Sequence, residues 1–318
     1  MVRLHKYSGA GNDFVVLDGR AEDVSAYRMP ERIAALCGQY GTDGLMILTD
    51  DPQLDFRMEY YNSDGSGGMM CGNGGRCIVA FADALGIAPA NGRLYRFAAA
   101  DGEHTGEILR RAGDCKTVRL RMIDVHTFHP ALDGWFLDTG TRHFVRFVPD
   151  AEAVDVEAEG RRARWDPLFA PVGANANFVS VDPDGTLRVR TFEKGVEGET
   201  LACGTGITAA AIAAYLNGGI SPEPPAVLKS LSDFAEGKVP GPGRSADADF
   251  AALNAGSRRR TAERKLVFRP PVWKTPSAGV FSIEIQARIA RLEVEFRPQP
   301  DGSGFTDVYL TGPADEIR

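Results

Sequence analysis

The sequence predicts an α/β protein made of two related lobes, with a boundary near residue 125. Short apolar runs typical of strands alternate with runs of helical apolar spacing in both halves of the chain. One motif occurs twice, as Cys71-Gly72-Asn73-Gly74 and Cys203-Gly204-Thr205-Gly206, and each copy opens an apolar run of helical spacing. The 318 residues, of which 43% are hydrophobic, are enough to form two cores of ordinary size.

Strand and helix patterns follow one another closely in the first half. The apolar runs 14–18 and 44–48 are typical of buried strands, and the alternating patterns at 56–61 and 118–122 predict half-buried strands. Residues 30–37 have helical apolar spacing and begin with a proline, which is favoured in the first turn of a helix. The first copy of the cysteine motif begins a second helix, which we expect to end near Gly86.

The second half repeats this alternation. Strands are predicted at 144–148, 178–181 and 187–192, followed by a helix from the second cysteine motif to about Gly218, and alternating strands return at 281–285 and 292–296. The segment 219–279 is rich in Pro, Gly, Ser, Ala and Arg and has no apolar periodicity. We interpret it as a flexible insertion, and binding of an acidic partner by its arginines is the alternative.

Composition and charge exclude several classes of protein. A net charge of −7 and a pI near 5.4 argue against nucleic acid or an anionic membrane as the main partner. No apolar stretch is long enough to span a bilayer, and the first residues have no signal-peptide core. Five cysteines do not indicate a disulfide framework in a chain of this length. We therefore expect a cytoplasmic protein with reduced thiols.

The repeated motif predicts a cysteine held at the N-terminus of a helix in each half. Backbone N–H groups and the helix dipole favour an anion there, so the pKa of the thiol falls and the reactive thiolate forms. The alternative is a small buried residue at the start of each helix, but the repetition of the same chemistry favours a function for Cys71 and Cys203. No Cys-x-x-Cys motif occurs, so a metal site is not predicted. Cys37, Cys77 and Cys115 are expected to be packing residues.

Asparagines are concentrated near the glycine-containing turns, at positions 12, 62, 73, 175 and 177. Asn often serves turns and helix caps, and that reading accounts for part of the set. The functional alternative is an amide-lined pocket for a zwitterionic substrate, whose ammonium and carboxylate groups both find partners on a neutral amide. His143 and Glu193 each lie beside a predicted strand, and the sequence alone favours a structural or exposed role for both.

Seven segments together resemble the diaminopimelate epimerase family of cofactor-independent amino-acid racemases and epimerases. They are spread in family order over nearly the whole chain outside 219–279. The segments are Gly9-Ala10-Gly11-Asn12-Asp13-Phe14, Tyr61-Asn62-Ser63-Asp64-Gly65-Ser66, Cys71-Gly72-Asn73-Gly74-Gly75-Arg76-Cys77, Glu193-Lys194-Gly195, Glu199-Thr200, Ala202-Cys203-Gly204-Thr205-Gly206 and Leu310-Thr311-Gly312-Pro313-Ala314.

The resemblance implies two pseudo-symmetric lobes, each a mixed sheet wrapped around a central helix, with the active site in the cleft between them. The lobes would comprise 1–124 and 125–304, and the last strand, 305–318, would return to the first lobe. The implied reaction interconverts LL- and meso-2,6-diaminopimelate in lysine and peptidoglycan precursor biosynthesis. It uses neither pyridoxal phosphate nor any other cofactor, and relatives are often homodimers.

The resemblance also assigns roles to single residues. Cys71 and Cys203 would form an acid–base pair, in which one thiolate removes the α-proton and the other thiol reprotonates the opposite face. His143 and Glu193 match residues that tune the thiols. The positions that match substrate-binding residues are Asn12, Asn62, Gly72, Asn73, Asn175, Glu193, Lys194, Gly204 and Thr205.

Three positions depart from the family pattern. Gly44 stands where a glutamine is usual, Thr141 where an asparagine is usual, and Lys194 where an arginine would grip the distal carboxylate. Lysine keeps the charge but loses the bidentate geometry. These departures leave one alternative open, an epimerase of this fold that acts on another amino acid. A second alternative is a binding protein of this fold that is not catalytic, with the arginine-rich segment 219–279 as its docking element, although binding alone would need neither Cys71 nor Cys203.

Overall fold

The computed structural model describes residues 2–67, 71–219 and 279–317. Contacts divide the chain into two compact units. The first comprises Met1–Met122, Ile289–Glu293 and Tyr309–Arg318, and the second comprises Ile123–Arg288 and Val294–Val308. The predicted flexible insertion, 219–279, falls almost entirely outside the described residues. The domain boundaries predicted at 124/125 and 304/305 stay predictions.

The first unit is a mixed sheet that closes on itself around a helix. Its strand order is β1-β2-β3-β4-β5-β6-β7-β16, and β16 also pairs with β1, for example Tyr7 with Glu316. The strands are β1 (His5–Gly9), β2 (Asn12–Asp18), β3 (Gly44–Thr49), β4 (Phe56–Asn62), β5 (Leu94–Ala99), β6 (Gly102–Ala112), β7 (Cys115–Arg121) and β16 (Phe305–Ile317). The pairing of β16 with β1 closes the described strands into a ring, and its interior encloses a whole helix.

That enclosed helix is α2 (Gly72–Ala84), which contacts β1, β2, β3, β4, β6 and β7. Its residues from Gly72 to Ala82 are all buried. Small residues allow this close approach: a Cβ on Gly9 of β1 would lie 2.7 Å from the carbonyl oxygen of Asn73. Helix α1 (Pro30–Tyr40) packs against β2 and β3 through Ile33 and Leu36. Strand β2 is therefore covered on both faces, which explains its continuous apolar run.

The second unit has a sheet of order β8-β9-β10-β11-β12-β14-β15, with β13 paired to β12. Its strands are β8 (Thr127–Ala131), β9 (Gly134–Asp138), β10 (Arg142–Phe147), β11 (Asn175–Val181), β12 (Leu187–Glu193), β13 (Gly198–Thr200), β14 (Phe281–Gln286) and β15 (Arg291–Pro298). Helix α4 (Gly204–Ala214) is apolar all round and contacts β9, β10, β11, β12 and β14. A helix of this kind is stable only when it is buried.

Helix α3 (Val156–Arg164) packs against β11, β12 and β13. Asp155 caps its N-terminus by accepting a 3.0 Å hydrogen bond from the backbone N–H of Ala158. Its apolar contacts join a cluster that includes Phe144, Phe178 and Phe192. Helix–sheet layers thus build the second unit, and the predicted fold class, a mixed sheet with a central helix in each unit, is confirmed.

Candidate active site

Cys71 and Cys203 occupy the same position in the two units, the residue that caps the N-terminus of a buried helix. Cys71 has extended backbone angles (φ −98°, ψ 128°), and its carbonyl accepts a 2.7 Å hydrogen bond from the N–H of Gly75. Cys203 has φ −108° and ψ 107°, and its carbonyl accepts a 2.8 Å hydrogen bond from the N–H of Ile207. This is the local structure that the repeated motif predicts, with each thiol beside the positive end of a helix dipole.

The other three cysteines differ from this pair. Cys77 is fully buried on α2, and burial raises the pKa of its thiol far above the usual range, so it stays protonated. Burial also raises the pKa of the Cys37 thiol. Both are packing residues, as expected. The same expectation for Cys115 was wrong: it is exposed, because it is the first residue of β7 and follows the turn at Gly113, beyond the core.

In the second unit, Cys203 adjoins a cluster of polar side chains around His143. The hydroxyl of Thr205 lies 3.4 Å from Cys203 Sγ, and the same Oγ1 lies 2.9 Å from His143 Nε2. Thr141 Oγ1 lies 2.9 Å from His143 Nε2 and 3.0 Å from Thr205 Oγ1. The structure therefore brings Cys203, Thr205 and His143 together, and a hydroxyl links the ring to the thiol.

The imidazole of His143 is fully buried in strand β10. Burial lowers its pKa to about 3, because the charged form would lose its hydration, so the ring is neutral at physiological pH. Asn177 Nδ2 lies 3.0 Å from His143 Nδ1 on the opposite side of the ring from Thr205. A neutral ring can hold one hydrogen bond as donor and another as acceptor, and both of its nitrogens have partners here.

Asn175 and Lys194 meet at the ends of two neighbouring strands. Asn175 Nδ2 donates a 3.0 Å hydrogen bond to the carbonyl of Arg142, and Asn175 Oδ1 accepts a 2.7 Å hydrogen bond from the backbone N–H of Lys194. The side chain of Lys194 is exposed. Glu193 is the last residue of β12, directly before it. Asn175 is thus held by backbone groups at both ends of its amide.

In the first unit, Asn12 and Asn73 form part of a chain of hydrogen bonds. Arg76 Nη2 donates to Asn73 Oδ1 at 2.9 Å, Asn73 Nδ2 donates to Asn12 Oδ1, and Asn12 Nδ2 donates to Asp43 Oδ2 at 3.3 Å. A guanidinium can only donate and a carboxylate can only accept, so the two ends fix the orientation of both amides. The sequence pattern pointed to both asparagines but not to Arg76 or Asp43 as their partners.

Arg76 is fully buried on α2, five residues after Cys71. It also donates to the carbonyls of Gly72 and Pro313, each at 3.3 Å. Burial lowers the pKa of this guanidinium, whereas the nearby sulfurs of Cys77 and Cys71 oppose that shift. A buried cation beside the first turn of α2 adds to the helix dipole in favouring a thiolate at Cys71.

Asn62 and Gly44 lie opposite each other on β4 and β3. Asn62 Nδ2 donates a 2.9 Å hydrogen bond to Ser66 Oγ, so its amide closes the turn that follows β4. At Gly44 a Cβ would lie 2.5 Å from the carbonyl oxygen of Tyr61. The glutamine that the family pattern has at this position would not fit this backbone. Among the described residues, no group of three or more His, Cys, Asp or Glu side chains is arranged to hold a metal ion.

Solved structures identify the fold class. The chain is similar to a phenazine biosynthesis protein of the PhzF family from Bacillus anthracis, with a TM-score of 0.58, 10% identity, and coverage of 99% of this chain and 96% of that chain. It is also similar to a predicted epimerase from Pseudomonas aeruginosa, with a TM-score of 0.53, 15% identity, and coverage of 100% of this chain and 98% of that chain. At this identity the similarity establishes the fold alone. The fold class is that shared by PhzF-type proteins and related epimerases.

Sequence relatives narrow the class to one family. A family model described as diaminopimelate epimerase matches residues 4–108 and 135–233. A diaminopimelate epimerase from Chlorobaculum tepidum is 41% identical over 222 residues, which cover 67% of this chain and 84% of that protein. One from Aquifex aeolicus is 40% identical over 240 residues, which cover 70% of this chain and 85% of that protein.

The chain belongs to the diaminopimelate epimerase family. The predicted family and enzyme class, an isomerase of the racemase and epimerase type, are therefore confirmed. No helix within the described ranges has the length and apolar character needed to cross a bilayer. The roles predicted for individual site residues stay predictions.

Proposed function

We propose that the chain interconverts LL- and meso-2,6-diaminopimelate by two-base proton transfer at the α-carbon, with Cys71 and Cys203 as the bases. One observation carries this proposal. A chain of this family presents a cysteine as the N-terminal cap of the central helix in each of its two units. The local chemistry favours a thiolate at both positions, and inversion at carbon requires one group on each face.

In the proposed reaction, a thiolate removes the α-proton as the C–H bond breaks and an S–H bond forms. The electron pair stays on the α-carbon and its carboxylate. The second cysteine, present as a thiol, then gives its proton to the opposite face, so its S–H bond breaks and a new C–H bond forms. The charge states of the two cysteines are exchanged after one turnover, and the reverse reaction restores them.

Stabilisation of the developing charge is the demanding part of this chemistry. Backbone N–H groups of Gly72 and Asn73, and of Gly204 and Thr205, lie in the first turns of α2 and α4. We propose that they bind the α-carboxylate. The loss of one such donor typically costs about 3 kcal/mol of transition-state stabilisation in other enzymes. The absence of a side chain at Gly72 and Gly204 gives a carboxylate close access to the backbone.

The remaining family positions are proposed to bind and orient the substrate. Asn12, Asn62, Asn73 and Asn175 would contact its polar groups, Glu193 would tune a thiol, and Lys194 would bind the distal carboxylate. The exposed Lys194 and the absence of a side chain at Gly44 favour a second candidate, an epimerase of another amino acid. The proposed setting is the cytoplasm, in lysine and peptidoglycan precursor synthesis, and the proposed assembly is a homodimer. We also propose that the protein does not bind nucleic acid, which its net charge of −7 supports.

Incubation of the reduced protein with LL-diaminopimelate, followed by chiral chromatography, tests the proposal. We expect the meso isomer to appear, and we expect Cys71→Ala and Cys203→Ala each to abolish it. Cys115→Ala is the matched control, because Cys115 is exposed and lies in neither helix cap. Turnover of a different amino acid, but not of diaminopimelate, would favour the second candidate. Inactivity over a whole panel of amino acids would contradict both and favour a binding protein.

A further inference from the structure

Asn177 is fully buried beside His143, and a backbone carbonyl, which can only accept a hydrogen bond, fixes the orientation of its amide. Asn177 Nδ2 lies 3.0 Å from the carbonyl oxygen of Phe144, which can only accept a hydrogen bond. On the other side, the hydroxyl of Thr191 donates a 2.9 Å hydrogen bond to Asn177 Oδ1. The nitrogen of this amide therefore faces Phe144, and its oxygen faces Thr191.

This orientation decides which nitrogen of His143 carries a proton. The same Asn177 Nδ2 lies 3.0 Å from His143 Nδ1, so the amide donates to that ring nitrogen. Nδ1 is then an acceptor without a proton, and a neutral imidazole has its single proton on Nε2. Every group within hydrogen-bond distance of this ring among the described residues is uncharged: Asn177, Asn175, Thr141 and Thr205.

The proton on Nε2 determines what the hydroxyl of Thr205 does. Nε2 lies 2.9 Å from both Thr205 Oγ1 and Thr141 Oγ1, whereas the amide nitrogen of Asn175, which donates to the Arg142 carbonyl, is 3.5 Å away, so the N–H of Nε2 is donated to the two hydroxyl oxygens. Neither hydroxyl then needs to give its own proton to the ring. The proton of Thr205 is available for Cys203 Sγ, 3.4 Å away. Hydrogen bonds to an anion stabilise the anion, so this arrangement favours the Cys203 thiolate.

We propose that Asn177 is a positioning residue, held in place by Thr191 and the Phe144 carbonyl. It keeps His143 in the Nε2-protonated tautomer, so that Thr205 donates a hydrogen bond to Cys203 and stabilises its thiolate. His143 thus acts on Cys203 through Thr205. The value of a stabilised thiolate for catalysis rests on the proposed function, but the tautomer and the reactivity of Cys203 can be measured without turnover.

The first test is the tautomer of His143, measured by ¹⁵N NMR correlations within the imidazole ring at neutral pH. The chain has five histidines, so the spectrum of His143→Gln assigns the signal. We expect a neutral ring protonated on Nε2. A ring protonated on Nδ1, or on both nitrogens, would overturn the proposal. Asn177→Leu removes the amide, and we expect it to give a mixture of tautomers. A pure Nε2-protonated ring in that variant would overturn the role of Asn177.

The second test compares Thr205→Val with Thr205→Ser. Valine has the shape of threonine without the hydroxyl, whereas serine keeps the hydroxyl. The rate of alkylation of Cys203 by iodoacetamide, followed by mass spectrometry of its peptide, reports the thiolate fraction. We expect Thr205→Val to react about tenfold more slowly than the wild type, because a smaller fraction of its Cys203 is thiolate. Thr205→Ser should react within about twofold of the wild type. Equal rates for the two variants would overturn the proposal.

These tests separate the inference from the proposed function. The protein could show an Nε2-protonated ring and slow alkylation of Thr205→Val and yet epimerise no amino acid. That result would support the hydrogen bonds inferred from Asn177 through His143 and Thr205 to Cys203, and it would contradict the proposed function. The protein could instead epimerise diaminopimelate while its His143 is protonated on Nδ1 and Thr205→Val is alkylated as fast as Thr205→Ser. That result would support the proposed function and overturn the role inferred for Asn177, His143 and Thr205.

Discussion

A methyl group added at Gly206 tests whether the site in the second unit depends on close packing between α4 and the sheet. Gly206 lies in the first turn of α4. A Cβ there would lie 2.4 Å from Asn177 Oδ1 and 3.2 Å from His143 Cε1. Both neighbours are fully buried, and hydrogen bonds to Thr191 and Phe144 hold Asn177. Neither neighbour can move away without breaking a contact.

Two opposing effects set the magnitude for Gly206→Ala. Alanine is favoured over glycine inside a helix by about 1 kcal/mol. Insertion of a methyl group into a well-packed core typically costs about 1–3 kcal/mol, and the contact at 2.4 Å places this site at the upper end of that range. We therefore expect a net loss of about 1–2 kcal/mol in the free energy of unfolding. We also expect a lower kcat, because the displaced amide is the partner of His143.

Urea denaturation of the variant and the wild type measures the change in stability, and Gly38→Ala is the matched control. Gly38 lies in α1, it is exposed, and nothing lies within 4 Å of its Cβ position. That variant is expected to be more stable than the wild type by about 0.5–1 kcal/mol, with unchanged activity. Stabilisation by Gly206→Ala to the same extent, with full activity, would refute the packing argument.

Three further predictions concern charge and substrate. His143→Gln should reduce the loss of stability on acidification. Burial lowers the pKa of His143 to about 3, so between about pH 6 and pH 3 the unfolded chain binds a proton that the folded chain excludes. The free energy of unfolding of the wild type therefore falls by up to about 1.4 kcal/mol per pH unit as the pH drops through this range. Urea midpoints of the variant and the wild type at pH 7 and pH 5 check this. An equal fall in the midpoint between the two pH values for both proteins would contradict it. Arg76→Lys should lower the free energy of unfolding by roughly 2 kcal/mol, because a single ammonium group cannot reach all three oxygens that accept hydrogen bonds from the buried guanidinium. An unchanged urea midpoint would count against this. Lys194→Arg should lower the KM for diaminopimelate several-fold in steady-state kinetics, because an arginine can bind the proposed distal carboxylate through two hydrogen bonds. A higher KM would indicate that the site around residue 194 serves another substrate.

Elements buried on both faces and elements with strict alternation were predictable from the sequence. Strands β2 and β3 are continuous apolar runs because layers cover both of their faces, and α2 and α4 follow directly from the cysteine motif. Helix α3 was missed because its sequence is strongly polar and has few apolar positions. Strand β16 was not predicted by pattern, since it contains Gly312 and Pro313 and depends on pairing with β1 and β7, which are distant in the sequence.

The candidate site divides in the same way. The positions of Cys71 and Cys203 were predictable because the pattern is local: a thiol and small residues at the start of a helix. The partners of His143 were not, because Asn177 is 34 residues away along the chain, and Thr191, which hydrogen-bonds to Asn177, lies on a third strand. A threonine in an alternating strand gives no sign that its hydroxyl orients a buried amide. The parallel pairing of β10 and β11, with β12 on the other side of β11, brings these residues together.

The isotopic course of a single turnover tests the two-base mechanism most directly. LL-diaminopimelate is incubated with the wild type in deuterium oxide, and the early products are separated by chiral chromatography and examined by NMR. Two separate thiols predict that the meso product contains deuterium at the inverted carbon while the remaining substrate keeps its α-proton. A single base acting on both faces would return the original proton to a substantial part of the product. Protium at the inverted carbon of the first meso molecules would therefore contradict the assignment of Cys71 and Cys203 as a pair.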